Sequence, residues 1–212
     1  MTMGDDRLFG FVDATSGAVL GTLAMDSERL EGTAADGLGN VYTALRDRNR
    51  VVRIDVKNRR VTAEWTPKDC ELPNGAAYDR VNKRLFITCR GEHPIIAVMD
   101  EQGNTVAQPA IGRGNDVILF DTAARRLYTS NGFDGTLVII DQIDANTYKL
   151  AMAITTRPYA RTMALDPKTK RVYLVTADGM VDPAKAWKQD IAPFYPNTYF
   201  RDTFRLLVYS VR

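Results

Sequence analysis

The feature that most constrains this chain is an internal repeat with a period of roughly 42 to 45 residues. Aspartates that follow an apolar stretch recur with spacings of 43, 42 and 45 residues, at Asp36, Asp79, Asp121 and Asp166. A second set follows a different apolar stretch with spacings of 42, 45 and 41 residues, at Asp13, Asp55, Asp100 and Asp141. Two landmarks with the same period indicate one supersecondary unit copied several times.

Each unit has the pattern of four antiparallel strands. Short apolar runs rich in Val, Ile, Leu and aromatics are separated by turns containing Gly, Asn, Asp and Lys. In the best-preserved unit the strands fall at 116–120, 126–129, 136–140 and 148–154, and we name them inner, second, third and outer. No helical periodicity of useful length is present. Four-stranded units of this length are typical of propeller blades, so the predicted fold class is all-β, a β-propeller of four-stranded antiparallel blades.

The strand count predicts one partial propeller domain over residues 1–212, possessing three full blades between two incomplete ones. The predicted units are 1–31, 32–73, 74–114, 115–160 and 161–212, the last with an insertion at 178–203. The first unit is expected to supply only a third and an outer strand, and the last to lack its outer strand. This favours a piece of a larger propeller, or pairing with another copy through open blade edges. A four-bladed ring completed by the N-terminal strands is the alternative.

Composition excludes several functional classes. Lys and Arg number 28 against 26 Asp and Glu, and no segment concentrates the net charge of +2, so no broad nucleic-acid or membrane footprint is visible. No apolar run is long enough for a membrane span, and residues 1–6 do not begin a signal peptide. The single histidine, His93, excludes a metal site built on several imidazoles.

Three turn-and-strand segments, 79–88, 121–130 and 166–175, resemble the YVTN-type repeat of the YncE-like propeller family. The resemblance covers nearly the whole chain and implies a seven-bladed parent. It also implies a bacterial protein exported to the periplasm or cell surface. Members are mostly regarded as binding proteins, some of them DNA-binding, and the repeat residues themselves build blades.

A ligand site is expected where the outer-to-inner and second-to-third loops emerge together, on what we call the loop face. The candidate ligand-binding residues on these loops are Arg48, Arg90, His93, Arg113, Asn115, Asp116, Asn131, Arg157, Tyr159 and Arg161. If the arginines converge, their planar guanidiniums would suit carboxylates or phosphates, hence an anionic small molecule or a single-stranded nucleic-acid backbone. For most of them we favour the other interpretation, in which they bind water and neighbouring carboxylates.

No catalytic residue is assigned, because His93 has no serine or cysteine nucleophile in a triad-like context. The expected function is therefore non-catalytic binding, without a cofactor. Oxygen ligands for calcium could come from Asn74, Asn115, Asp116 and Asn131, as in lactonase-type propellers, which leaves a metal-dependent hydrolase as an alternative.

The insertion and the two cysteines give two further predictions. The insertion carries Trp187, Phe194, Tyr195 and Tyr199 among prolines, which predicts either a cap over the blades or a surface that binds a protein partner. A scaffold protein acting through these aromatics is thus a further alternative. Cys70 and Cys89 fall at the same end of one blade, so a disulfide is possible, and two free thiols are the alternative.

Overall fold

The chain is described by a computed structural model that covers residues 1–185 and 196–210. Over these residues it consists of β-strands joined by turns, with one short 3-10 turn at Arg46–Arg48. No helix in this part of the chain has the length and apolar character needed to cross a membrane.

The described strands form five successive antiparallel sheets, which we number as blades 1 to 5, and one separate two-stranded sheet. Blade 1 contains β1 (Thr2–Met3), β2 (Leu8–Val12) and β3 (Val19–Ala24). Blade 2 contains β4 (Leu30–Ala35), β5 (Asn40–Leu45), β6 (Arg50–Asp55) and β7 (Arg60–Trp65). Blade 3 contains β8 (Pro73–Asp79), β9 (Arg84–Cys89), β10 (Ile95–Met99) and β11 (Thr105–Ala107). Blade 4 contains β12 (Asn115–Asp121), β13 (Arg126–Asn131), β14 (Thr136–Gln142) and β15 (Tyr148–Thr155). Blade 5 contains β16 (Thr162–Asp166), β17 (Arg171–Thr176) and β20 (Arg205–Ser210), with the hairpin β18 (Gly179–Met180) and β19 (Thr198–Tyr199) inserted.

Blades 2, 3 and 4 have four strands paired in chain order, which is the predicted blade pattern. Blade 1 differs from the prediction, because β1 pairs with β2 at the place of a second strand. A strand of two residues is too short to show a period of two, so the sequence pattern could not reveal it. In blade 5, β20 is the edge strand, whereas β3 pairs with β2 in its own sheet. Among residues 1–185 and 196–210, no N-terminal strand pairs with β20.

The recurring aspartates hold the turns between inner and second strands. Asp79 accepts backbone N–H bonds from Val81 and Asn82 at 2.9 and 3.2 Å, and side-chain bonds from Asn82 and from Gln142 of blade 4. Burial by itself raises the pKa of Asp79, but these hydrogen bonds outweigh burial and hold the pKa below its ordinary value. The aspartates at this position are thus structural, since they satisfy backbone groups that the sheet leaves unpaired.

The hydrophobic core lies between consecutive blades rather than in one central mass. Between blades 3 and 4, for example, Phe86 and Ile96 pack with Ile118 and Leu127, all almost fully buried. Separate clusters join blades 1 and 2, blades 2 and 3, and blades 4 and 5. Burying each such side chain stabilises the fold by roughly 1.5–3 kcal/mol, so every blade depends on its neighbours.

The inner strands approach one another closely, as their small residues predict. A Cβ atom at Gly32 would lie only 2.7 Å from the backbone N of Ala76 and 2.7 Å from the carbonyl O of Asn74 in the next blade. These contacts are with backbone atoms that cannot rotate away. Glycine at this position therefore sets the spacing between blades 2 and 3 at the inner strands.

Candidate functional site

Three of the predicted arginines on the loop face are each held by one carboxylate from a facing loop. The pairs are Arg48 with Asp26 at 2.8 Å, Arg113 with Asp134 at 2.8 Å, and Arg157 with Asp178 at 3.1 Å. Each pair joins an outer-to-inner loop to a second-to-third loop. Such exposed pairs contribute about 0–1 kcal/mol each, and they tie adjacent loops together without bringing the three arginines to one point.

The other two arginines, Arg90 and Arg161, meet at Asp116. The Arg90 Nη2 atom donates to Asp116 Oδ1 at 2.6 Å, and Arg161 Nη1 lies 3.7 Å from the same oxygen. Arg90 also donates through Nε to the carbonyl O of Asn115. We name Arg90, Asp116 and Arg161 the Asp116 cluster. It joins a loop of blade 3 to the inner strand of blade 4 and to the loop just before the inner strand of blade 5.

Within this cluster the two guanidiniums have different environments. The Arg90 side chain is only 9% exposed, whereas that of Arg161 is 37% exposed and that of Asp116 is 29% exposed. Arg161 is fixed through its backbone, because the hydroxyl of Ser130 donates to its carbonyl oxygen. The guanidinium of Arg90 is thus buried and held in place, whereas the guanidinium of Arg161 is accessible to solvent.

The segment before Arg90 explains how this arginine is held. Cys89, its predecessor, is joined to Cys70 by a disulfide with an S–S distance of 1.98 Å, and both residues are buried. The backbone N–H of Arg90 donates to the carbonyl O of Glu71 at 2.8 Å. The cross-link and this hydrogen bond hold the end of β9 against the outer-to-inner loop that leads from blade 2 into blade 3.

The predicted asparagines lie beneath the loop face rather than on it. Asn74, Asn115 and Asn131 are at most 2% exposed. Their Oδ1 atoms, together with the hydroxyl oxygen of Thr129, are buried and have no hydrogen-bond partner among the described residues. An unsatisfied buried polar group costs about 1–3 kcal/mol, so four of them would cost about 4–12 kcal/mol, which rivals the net stability of a typical domain.

The remaining candidates are His93, Tyr159 and the aromatic residues of the insertion. His93 lies exposed on the loop after β9. Tyr159 is partly buried, with a positive φ of 63°, and its backbone N–H donates to Gly132 O at 2.7 Å. Tyr199 is 59% exposed on β19. Three further aromatic candidates lie outside the described residues, namely Trp187, Phe194 and Tyr195.

Sequence reasoning missed two kinds of residue. Asp26 and Asp178 were not recognised as partners of the loop arginines, although each stands in a loop that faces an arginine-bearing loop. Thr129 was not singled out because a threonine inside a strand carries no signal of its own.

Among residues 1–185 and 196–210 no group of three or more His, Cys, Asp and Glu side chains is placed to hold a metal ion. The asparagines offer only neutral oxygens, and Asp116, beside them, is in contact with two guanidiniums.

Comparison with known proteins identifies the fold. No protein-family model matches the chain, and no curated protein matches it either. The chain is similar to hydrazine synthase of Kuenenia stuttgartiensis, with a TM-score of 0.70 and 17% identity, over 95% of this chain and 56% of that one. It is also similar to a chain of a nidogen/laminin complex, with a TM-score of 0.61 and 20% identity, over 78% of this chain and 62% of that one. This chain thus spans about three-fifths of the length of these structures. Both are β-propellers, and at such low identity the likeness concerns the fold alone, so the predicted β-propeller fold is confirmed.

Proposed function

We propose that the chain is a non-catalytic binding propeller that takes an anionic group at the Asp116 cluster. The observation that carries this proposal is the convergence of Arg90 and Arg161, from different blades, on one carboxylate at the loop face. The other loop arginines are spread over separate ion pairs. The Asp116 cluster is therefore the place where a ligand would meet the solvent-accessible guanidinium of Arg161 with the guanidinium of Arg90 held nearby.

The cluster supports binding through a division of roles. Asp116 and the Asn115 carbonyl already orient Arg90 before a ligand binds. Binding therefore does not have to offset the entropy of ordering the Arg90 side chain. Arg161, whose side chain is 37% exposed, then brings to the ligand a planar guanidinium of the geometry that matches a carboxylate or a phosphate. An anionic small molecule suits this cluster better than a long nucleic acid, because the flanking arginines already contact Asp26, Asp134 and Asp178.

The test is titration calorimetry with three probes, namely inorganic phosphate, gluconate and a single-stranded oligonucleotide. Hydrogen bonds to charged groups contribute about 1.5–3 kcal/mol, so Arg161→Gln should weaken binding of a small anion about tenfold or more. Arg113→Gln is the matched control, since it removes an exposed guanidinium from a separate pair on the same face. Equal losses in both variants, or no binding of any probe by the wild type, would refute the proposal.

The proposal includes membership of the YVTN-type group of propellers and export from the cell. The three repeat segments support the family assignment. A disulfide in the structure supports an oxidising compartment such as the bacterial periplasm or the extracellular space, because cytosolic thiols are kept reduced. The measurement is the fraction of bridged protein after expression with and without export.

A second candidate function is self-association through the open side of blade 5. The edge strand β20 exposes Leu206 and Val208 on the face turned away from blade 4, at 56% and 48% exposure. The opposite side of the strand packs Leu207 and Tyr209 into the core. An exposed edge with an apolar face is a template for pairing, and a second copy of this chain is the occupant we propose.

Light scattering coupled to size-exclusion chromatography tests this association. The wild type should elute above monomer mass at tens of micromolar, and the double change Leu206→Lys and Val208→Lys should shift it toward the monomer. Val81→Lys is the control, because Val81 is 73% exposed in the turn between β8 and β9 of blade 3, away from β20. A monomeric wild type would exclude this second function and leave the anion site untouched.

A further inference from the structure

The four orphaned oxygens belong to side chains on the neighbouring inner and second strands of blades 3 and 4. Asn115 of β12 lies directly opposite Asn131 of β13. Thr129 is two residues before Asn131 and therefore points to the same face of the sheet. Asn74 reaches across from blade 3, because its Nδ2 donates to the carbonyl O of Asp116 at 3.1 Å. We name the side-chain oxygens of Asn74, Asn115, Thr129 and Asn131 the oxygen layer.

The orientation of the three amides is determined by their hydrogen bonds. Asn115 Nδ2 donates to the carbonyl oxygens of Val117 and Ser130, at 3.1 and 3.2 Å. Asn131 Nδ2 donates to the carbonyl O of Thr129 and to the hydroxyl oxygen of Thr136, both at 3.2 Å. Rotating either amide by half a turn would place two acceptor oxygens together, so the nitrogen and oxygen positions are not interchangeable. The groups of these amides that are left without a hydrogen bond among the described residues are therefore acceptors.

A layer of acceptors favours a cation over water as its occupant. A water molecule can donate two hydrogen bonds, but its own lone pairs would then face oxygens, apart from the one hydrogen of the Thr129 hydroxyl. A metal cation has no such conflict, and neutral carbonyl and hydroxyl oxygens are ligands for hard cations. The occupant should thus be an ion that prefers oxygen.

Charge selects a monovalent ion. The ligands in the layer are neutral, and Asp116, which adjoins Asn115, is in contact with the guanidiniums of Arg90 and Arg161. Because repulsion from these cations grows with the charge of the ion, a single charge is tolerated more readily than a double one. We propose that the oxygen layer binds one alkali cation, sodium or potassium, which ties blade 3 to blade 4 beneath the loop face.

The test is thermal unfolding of the full chain at constant ionic strength. N-methylglucamine chloride, whose bulky cation cannot enter the layer, is replaced stepwise by sodium chloride or potassium chloride. At ten times its Kd the bound ion should raise Tm by about 3–6 °C in a chain of this size. Asn131→Ala should lose this rise, whereas Asn104→Ala, which removes an exposed amide from a turn of blade 3, should keep it.

A direct measurement makes the outcome independent of whether the variant folds. Crystals soaked in rubidium chloride should show an anomalous scattering peak between Asn115 and Asn131. Identical Tm values in all three salts, together with no peak, would overturn the proposal in favour of buried water. A rise in Tm with calcium or magnesium but not with alkali ions would equally overturn it, because the charge argument would be wrong.

Discussion

Reducing the Cys70–Cys89 disulfide should lower the stability of this propeller by an amount that follows from its loop length. The cysteines are 19 residues apart. The chain-entropy relation for a loop of that size gives about 3 kcal/mol at 25 °C, because the cross-link restricts the unfolded chain. For a chain of about 200 residues, each kcal/mol corresponds to roughly 2–4 °C in Tm, so the expected loss is about 6–12 °C.

The assay compares thermal unfolding of the oxidised protein with that of protein treated with a phosphine reductant. Alkylation followed by mass measurement establishes how many thiols are open in each sample. A variant carrying both Cys70→Ala and Cys89→Ala serves as the control, since its Tm should be low and indifferent to reductant. Two alkylatable thiols under oxidising conditions would show that no bridge forms. An unchanged Tm after verified reduction would show that the entropic reasoning fails here.

Two further predictions concern packing and pH. Gly32→Ala should destabilise the fold by about 1–3 kcal/mol in urea unfolding, because the added Cβ would clash with backbone atoms of Asn74 and Ala76; a neutral result would contradict the close approach of the inner strands. The lowered pKa of Asp79 means that its contribution is present above the ordinary value of 3.8 and is lost as the pH falls through the lower folded value. Asp79→Asn should therefore cost about 1–3 kcal/mol at pH 7 and progressively less below pH 4, whereas a loss independent of pH would exclude this linkage.

Much of the architecture could be predicted because the repeat is local and periodic. A turn aspartate satisfies backbone groups within a few residues, so Asp79 and Asp121 leave the same signature wherever the blade occurs. Each blade packs apolar residues from both of its faces against the neighbouring blades. This pattern of apolar residues can also be read directly from the sequence. The strand β1 escaped prediction because two residues carry no period.

The site was less predictable because its contacts join residues from different blades. The sequence predicted that Arg90, Asp116 and Arg161 lie on one loop face. It predicted the same for Arg48, Arg113 and Arg157, with nothing to distinguish the two groups. Which arginines meet depends on distances between loops that are 20 to 70 residues apart in the chain. Likewise, Asn115 and Asn131 were expected at the loop face, and only the packing of blade 3 against blade 4 buries them.

By itself the sequence determined the all-β class, the blade repeat and the positions of the turns, because these depend on hydrogen bonds and hydrophobic alternation over a few residues. The tertiary structure alone decided that two guanidiniums share Asp116 and that four oxygens are buried with no hydrogen-bond partner in the part of the chain that the structure describes. Those features arise from the stacking of separate sheets, whose relative placement is governed by side-chain volume across the interface, as at Gly32.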